Sequence, residues 1–288
     1  LNGTWNFTIV AADMSGLAAG DVVQYYVIAQ DVATTPNITS NPAAGLVATN
    51  VNTVTTHPTS PNSFSIASTL SGTYTVGSGG SYSTLTAAIT AYNTSCLGGP
   101  VVFELTDASY ISPSETFPLV INNNSYASAT NTLTIRPSTA AVAISGTDAT
   151  GLFQLNGAQY VTFDGRIGST GSTNLLTITN THASSPVFLF INDAQNNNIR
   201  YASLKSDNSS TTSGVVLFST TTGSNGNDNN TIDNCNIGPN SGNPTNGIYS
   251  AGTSATTAQN NSSNTISNNN IFDFYNSSSS TNGGTGVN

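Results

Sequence analysis

Three stretches of the chain align without gaps: NNIRYASL at 197–204, NTIDNCNI at 230–237 and NTISNNNI at 264–271. Ile199, Ile232 and Ile266 correspond, as do Leu204, Ile237 and Ile271 five places on. Asn197, Asn230 and Asn264 correspond too. Asn234 matches Asn268, with Tyr201 in that slot of the first copy. The copies lie 33 and then 34 residues apart, and Gly214 and Gly247 repeat at the same interval in SGVVLFS and NGIYSAG. The closing GTGVN reads as the next such strand. A period in this range signals stacked units, each unable to bury its apolar face alone.

The repeat decides how the asparagines are to be read. Of 38 in the chain, 22 lie from residue 196 onward. A disordered polar tract would have no reason to hold Ile in register through three copies. A stack does, because successive coils advance by one strand spacing, about 4.8 Å, and place like residues above one another. Stacked Asn side chains can hydrogen-bond along such a column. Asn also tolerates the left-handed backbone that tight corners demand. Asn230 and Asn234 are therefore expected over Asn264 and Asn268, with Ile232 and Ile237 facing a core. At roughly 30 residues per coil, residues 69–288 make about seven coils and a rod of roughly 35 Å.

Composition agrees with an all-β chain. Only 6% of residues are charged, far below the usual quarter, while 36% are hydrophobic. That combination is unlike a disordered chain, which is apolar-poor and charge-rich. Helix-forming Glu, Lys and Arg are scarce, whereas Thr, Val, Ile, Tyr and Phe suit strands. The basic residues are Arg136, Arg166, Arg200 and Lys205, against 13 carboxylates, for a formal charge of −9. Nucleic acid is a poor partner for such a surface, and so is an anionic membrane. No run of about 18 apolar residues offers a membrane span. Cys96 and Cys235 are expected as free thiols, since a disulfide scaffold needs more and closer pairs. Uncharged polar surfaces of this kind are common outside the cell.

Residues 1–68 read differently. TWNFTIV offers Trp5, Phe7 and Ile9 on one face. DVVQYYVIAQD is apolar on both faces, which predicts a central strand. Proline-punctuated loops follow, and SFSIA closes the segment. With GDVVQYYVIAQD and the later VNTVTTHPTSPNSFSI, the region resembles an immunoglobulin-like or fibronectin-like sandwich module of large secreted bacterial proteins. Too few strands are present for a whole module, so its start is expected to lie before residue 1.

At LSGTYTVGSGGSYSTLTAAITAYN, residues 70–93, the texture changes. Ser83 is placed to cap a helix from Thr84 to about Tyr92, with Leu85, Ala88, Ile89 and Tyr92 on one face. Short strands then recur between Gly, Asn, Ser and Asp turns. Tyr82, Thr84, Leu85, Ala88 and Ile89, followed by GGPVVFELTDASY and LTIRPSTAAVAISG, resemble the opening of the pectin-lyase-like right-handed parallel β-helices. The resemblance covers about 69–288 and implies that the helix plugs the first coil. The fold expected is thus all-β: a partial immunoglobulin-like β-sandwich over 1–68, then a right-handed parallel β-helix over 69–288 with an N-terminal capping helix, continuing beyond the chain end.

Catalytic signals are sparse. A β-helix lyase needs a strong base beside cation-binding carboxylates, and only Arg166 follows a carboxylate closely, in FDGR. Arg200 and Lys205 flank one repeat strand. A hydrolase needs paired carboxylates, and Asp164, Asp193, Asp207, Asp228, Asp233 and Asp273 form no close pair in sequence, although stacking can join them. The Asn-Thr-Asp, Asp-Asp and Gly-His-Gly motifs of pectin-degrading hydrolases are absent. His57 and His182 stand alone in loops. No Asp-x-Asp-x-Asp-Gly loop is present, and Asp228 with Asp233 reads as a solvated turn before a calcium site. No cofactor is implied, and no catalytic or metal-binding residue is assigned. Aromatics on or beside strands, Tyr201, Tyr249, Phe272, Phe274 and Tyr275, are the candidate glycan contacts.

The order of modules resembles adhesin-like proteins exported by the type IX secretion system. That implies cell-surface or secreted display, with the secretion machinery and surface glycans or surface proteins as partners. The expected function is a non-catalytic structural or adhesin module, a rigid rod that projects or binds glycans or surfaces. A carbohydrate-active β-helix enzyme and a filament or sheath subunit are the alternatives.

Overall fold

The computed structural model describes residues 6–43, 50–253, 255–275 and 285–287. The chain divides into two compact units, Leu1–Ser68 and Thr69–Asn288.

In the first unit the expected central strand breaks at Tyr26. Val22–Tyr25 pairs antiparallel with Asn62–Ser65, and Val27–Gln30 pairs antiparallel with Ile38–Asn41. Each half has one partner among the described residues, so neither is central. The break lets one continuous apolar run serve two neighbours. Residues 6–10 form no strand, because nothing described takes their ladder hydrogen bonds. Phe7 is 71% exposed there. Trp5 lies outside the described residues.

The second unit is a parallel β-solenoid of the right-handed type, with about six turns, each contributing a strand to three parallel sheets. The first sheet carries Leu119–Asn122, Phe153–Asn156, Phe188–Ile191, Val216–Phe218, Asn246–Ser250 and Thr285–Val287. The last of these is the strand read in GTGVN, and it pairs Asn246 with Thr285 and Ile248 with Val287. The second sheet runs from Ser109–Ile111 to Asn270–Ile271, and the third from Thr69–Val76 to Thr265–Ser267. Six turns rather than seven result because corner loops lengthen many coils beyond 30 residues. The steps are 33 residues from Asn197 to Asn230 and 34 to Asn264, and 36 where Asp164 meets Arg200.

Alternation within each strand drives the stack. Leu133–Pro137 and Ala202–Ser206 bury every second residue, and the inward residues form one continuous core. Ile199, Ile232, Leu204 and Ile237 are wholly buried. Ile232 pairs with Ile199 on one side and Ile266 on the other, and Ile237 pairs with Leu204 and Ile271. Ile266, expected in the core, is 38% exposed, and Ile271 is half-buried. Their coil is the last described over these two sheets, so they are covered from one side only. Phenylalanines stack through the interior: Phe153 lies 5.3 Å from Phe188 and Phe190 lies 4.5 Å from Phe218, ring centre to ring centre.

The helix, α1, spans Leu85–Thr94. Its N-cap is Thr84 rather than Ser83: the Thr84 hydroxyl accepts the Ala87 N–H at 3.0 Å. Leu85, Ala88, Ile89 and Tyr92 are buried in the same core as Leu70 and Val76. The buried carboxylate of Glu115 accepts the Leu85 and Thr86 N–H groups at 2.8 and 2.7 Å, which suits the positive end of a helix. No helix among the described residues is long and apolar enough to cross a membrane.

Candidate functional site

The asparagine column at 197, 230 and 264 is a ladder in which each amide makes two bonds to backbone groups. The Oδ1 of Asn197, Asn230 and Asn264 accepts the backbone N–H of Val161, Asn197 and Asn230 in turn, at 2.9–3.0 Å. Each Nδ2 donates to a carbonyl one coil back: Ala158, Ala194 and Asn227. Side-chain amides also meet directly, Asn197 Nδ2 to Asn230 Oδ1 at 2.9 Å and Asn230 Nδ2 to Asn264 Oδ1 at 3.2 Å. The Ala194 and Asn227 carbonyls take no backbone donor among the described bonds, while Ala158 also accepts the Gln195 N–H, so the amides complete the bonding of this inner corner.

Asn234 and Asn268 behave differently. The expected side-chain ladder between them is replaced by two bonds to one carboxylate, Asn234 Nδ2 and Asn268 Nδ2 both donating to Asp233, at 2.6 and 2.9 Å. What these positions share is backbone: Tyr201, Asn234 and Asn268 sit at φ 51°, 53° and 53°. Gly165 precedes them in the column. A Cβ there would lie 1.7 Å from the Tyr201 carbonyl oxygen, so the turn closes only around glycine.

Stacking also gathers charges that are scattered in the sequence. On the third sheet Glu104 pairs with Arg136, Asp164 with Arg200, Arg200 with Asp233, and Asp233 with Ser267. Phe163 pairs with Ile135, which sets Asp164 level with Arg136. The result is one column of alternating sign. Asp164 is wholly buried and receives Arg166 on both oxygens at 2.9 Å and Arg200 at 3.0 Å. Burial works to raise its pKa, but the Arg166 hydrogen bonds and the Arg200 charge outweigh it and hold the carboxyl below its ordinary value. The Arg166 guanidinium lies 4.0 Å from the Tyr201 ring centre, a cation–π contact. Lys205 stands between Thr179 and Gly238 on the second sheet and forms no salt bridge among the described residues.

Other carboxylates join coil to coil. Asp193 accepts the Thr221 hydroxyl and the N–H groups of Ser224 and Asn225. Asp207 accepts three successive N–H groups, Asn240, Ser241 and Gly242, at 2.8–2.9 Å. Burial pushes its pKa up, yet these bonds win and leave it lowered. Asp228 accepts from Ser262, and Asp107 from Ser78. Among the aspartates of the solenoid, only the carboxylates of Asp148, which folds onto Thr150 and Gly151, and Asp273 make no described bond to another coil; both residues reach one through their backbone, to Asn180 and Asn243. His182 Nδ1 accepts the Ser184 N–H, a loop role, and His57 Nδ1 lies 2.9 Å from the Pro58 carbonyl. Among the described residues no three His, Cys, Asp or Glu side chains gather as a metal site would.

The five aromatics do not form one platform. Tyr201 is taken up by Arg166, and Phe272 lies against Gly238, where an added Cβ would be 2.7 Å from its ring. Phe274 sits by Gly286. Tyr249 continues a different column, above Leu217 on the first sheet. Tyr275 is exposed and donates its N–H to the Pro244 carbonyl. None of the five stacks on another described ring.

Sequence spacing missed a second ladder at the end of the first-sheet strands. Asn156 Nδ2 donates to Asn122 Oδ1 at 2.8 Å, and Asn192 Nδ2 to Asn156 Oδ1 at 2.6 Å. An apolar-Asn signal is present in IN at 121–122, LN at 155–156 and IN at 191–192, but the steps are 34 and 36 residues and not constant. Comparison with protein-family models, with curated proteins and with solved structures returns no match.

Proposed function

We propose that the chain is a non-catalytic structural or adhesin module, a solenoid displayed outside the cell that projects or binds glycans or surfaces. The carboxylates carry this reading. Acid–base cleavage of a glycan needs carboxyl groups free to hold and release protons or to ligate a cation. Here Asp164, Asp193, Asp207, Asp228 and Asp233 serve as acceptors between coils. Groups used in this way stiffen a rod and are poor proton carriers.

The composition favours the extracellular setting, being poor in charged residues and rich in Asn, Ser and Thr. Within the same reading, residues 1–68 belong to an immunoglobulin-like sandwich, and α1 shields the open first coil. Buried Leu85, Ala88, Ile89 and Tyr92 support the latter. Export by the type IX machinery rests on the resemblance in module order.

A second reading, a carbohydrate-active enzyme, draws on one observation. The Arg200 side chain is 38% exposed and stands between Asp164 and Asp233 on the neighbouring coils. Incubating the purified chain with pectate and alginate tests both. Absorbance of unsaturated chain ends, or new reducing ends, would reject the non-catalytic reading; unchanged polymer, with retention of the chain on glycan-coated surfaces, is expected.

A further inference from the structure

At the corner between the first and third sheets, successive coils leave a concavity of about 440 Å3. Its walls are Asn and Gln amides with one aspartate and one glycine, and contain no cation and no apolar side chain. The floor is the second ladder, Asn122, Asn156 and Asn192. That ladder is directional: each Nδ2 donates toward the lower coil, so the Asn122 Nδ2 is left as an unengaged donor at its end. Gly157 opens the space, at φ +65° and with the Asn192 carbonyl 3.0 Å from where a Cβ would sit.

The side-chain amides of Asn123, Gln159 and Asn225 have no protein partner among the described residues. Gln195 uses only its Nε2, donating to the Gly226 carbonyl. Each free amide offers two donors and a carbonyl acceptor. The aspartate is Asp193, and both its oxygens already accept from Thr221, Ser224 and Asn225. It adds negative charge and keeps one acceptor site, on Oδ1, which accepts only from Thr221.

We propose that this groove binds a neutral glycan, a reading that rests on the non-catalytic surface function above and locates its glycan site away from the five aromatics. A polyol carries hydroxyl groups that both donate and accept, which matches free amides on either side. Uronates and phosphates need cations, which the groove lacks, and the chain's charge of −9 repels them. An extended peptide needs apolar pockets for alternate side chains, which the groove also lacks. The volume lies in the range of ordinary ligand sites. Coils repeat at about 4.8 Å, close to the length of one pyranose unit, so an extended chain can present one sugar to each coil.

The test is calorimetric titration of the full chain with cellohexaose, mannohexaose and a hexagalacturonate. Binding of a neutral hexamer and none of the hexagalacturonate is expected, with little dependence on salt. Gln159→Ala should weaken it about tenfold, the loss of one or two hydrogen bonds. The Asn123→Ala/Asn225→Ala double variant, at two exposed positions, should do the same, and it carries the test if Gln159→Ala does not fold. Tyr249→Ala should leave binding unchanged. Neutral binding that survives the groove changes, or is lost with Tyr249→Ala, overturns the groove assignment and leaves the glycan-binding function standing. Binding of neither neutral hexamer overturns the proposal, as does preference for the hexagalacturonate. Release of cleaved sugar instead rejects the non-catalytic function, whatever the groove variants do.

Discussion

Replacing Asn230 by alanine isolates the energetic role of the ladder. Asn230 is wholly buried, and its amide serves the coil below at two backbone groups. The Asn197 N–H donates to its Oδ1 at 3.0 Å, and its Nδ2 donates to the Ala194 carbonyl at 2.9 Å. Alanine leaves both without that partner in a place water does not reach. Each orphaned buried group costs about 1–3 kcal/mol, so the loss is about 2–6 kcal/mol. The Asn197 amide keeps its bond to the Ala158 carbonyl and softens nothing further. Solenoids open locally and in blocks, so native-state hydrogen exchange is the proper assay rather than a single melting curve. The Asn197 amide should exchange faster by the factor that this free energy implies. Asn234→Gly is the internal control. It removes the same side chain from a position whose demand is a left-handed backbone, φ 53°, which glycine meets. Its cost should be that of the one part-buried bond to Asp233, about 1.5–2 kcal/mol, with no buried backbone group orphaned. If Asn230→Ala costs no more than Asn234→Gly, or leaves Asn197 protection unchanged, the assignment of distinct roles to the two columns is refuted.

Asp164→Asn removes the charge that holds Arg166 and Arg200, and should destabilise by about 3–5 kcal/mol in urea unfolding. Acid should act in the same direction. Asp164, Asp207 and Asp233 all titrate below their ordinary value when folded, so the unfolded chain takes up protons first, near the usual pKa of about 3.9. Their contribution is fully present above about pH 5 and is lost as pH falls through the folded values; thermal melts at pH 7, 5 and 3 should show a drop only in the last step. Burial pushes the Cys235 thiol up to about 12, so a thiol reagent at pH 8 should label half-buried Cys96 and reach Cys235 only on unfolding.

Local pattern made much of this architecture readable. Alternation of apolar residues set which side of each strand faces inward, because a strand's side chains point to opposite faces in turn. The nearly constant interval among residues 197–271, 33 and then 34, set the vertical neighbours Ile199, Ile232 and Ile266, because coils of nearly equal length must stack in register. The Asn197 column was legible for the same reason. Chain order alone did not reveal which asparagine makes side-chain bonds upward and which merely turns the corner. Both are the same residue in the same tract, and the difference is whether the amide points to an inner corner with unpaired backbone groups. The alternating column through Glu104, Arg136, Asp164, Arg200 and Asp233 was hidden as well, since loops of unequal length shift the interval between 28 and 36 residues. Sequence thus determined the period and the inward faces. Only the stacked structure decided which distant polar groups meet, because contact between coils depends on loop lengths that the core pattern does not constrain.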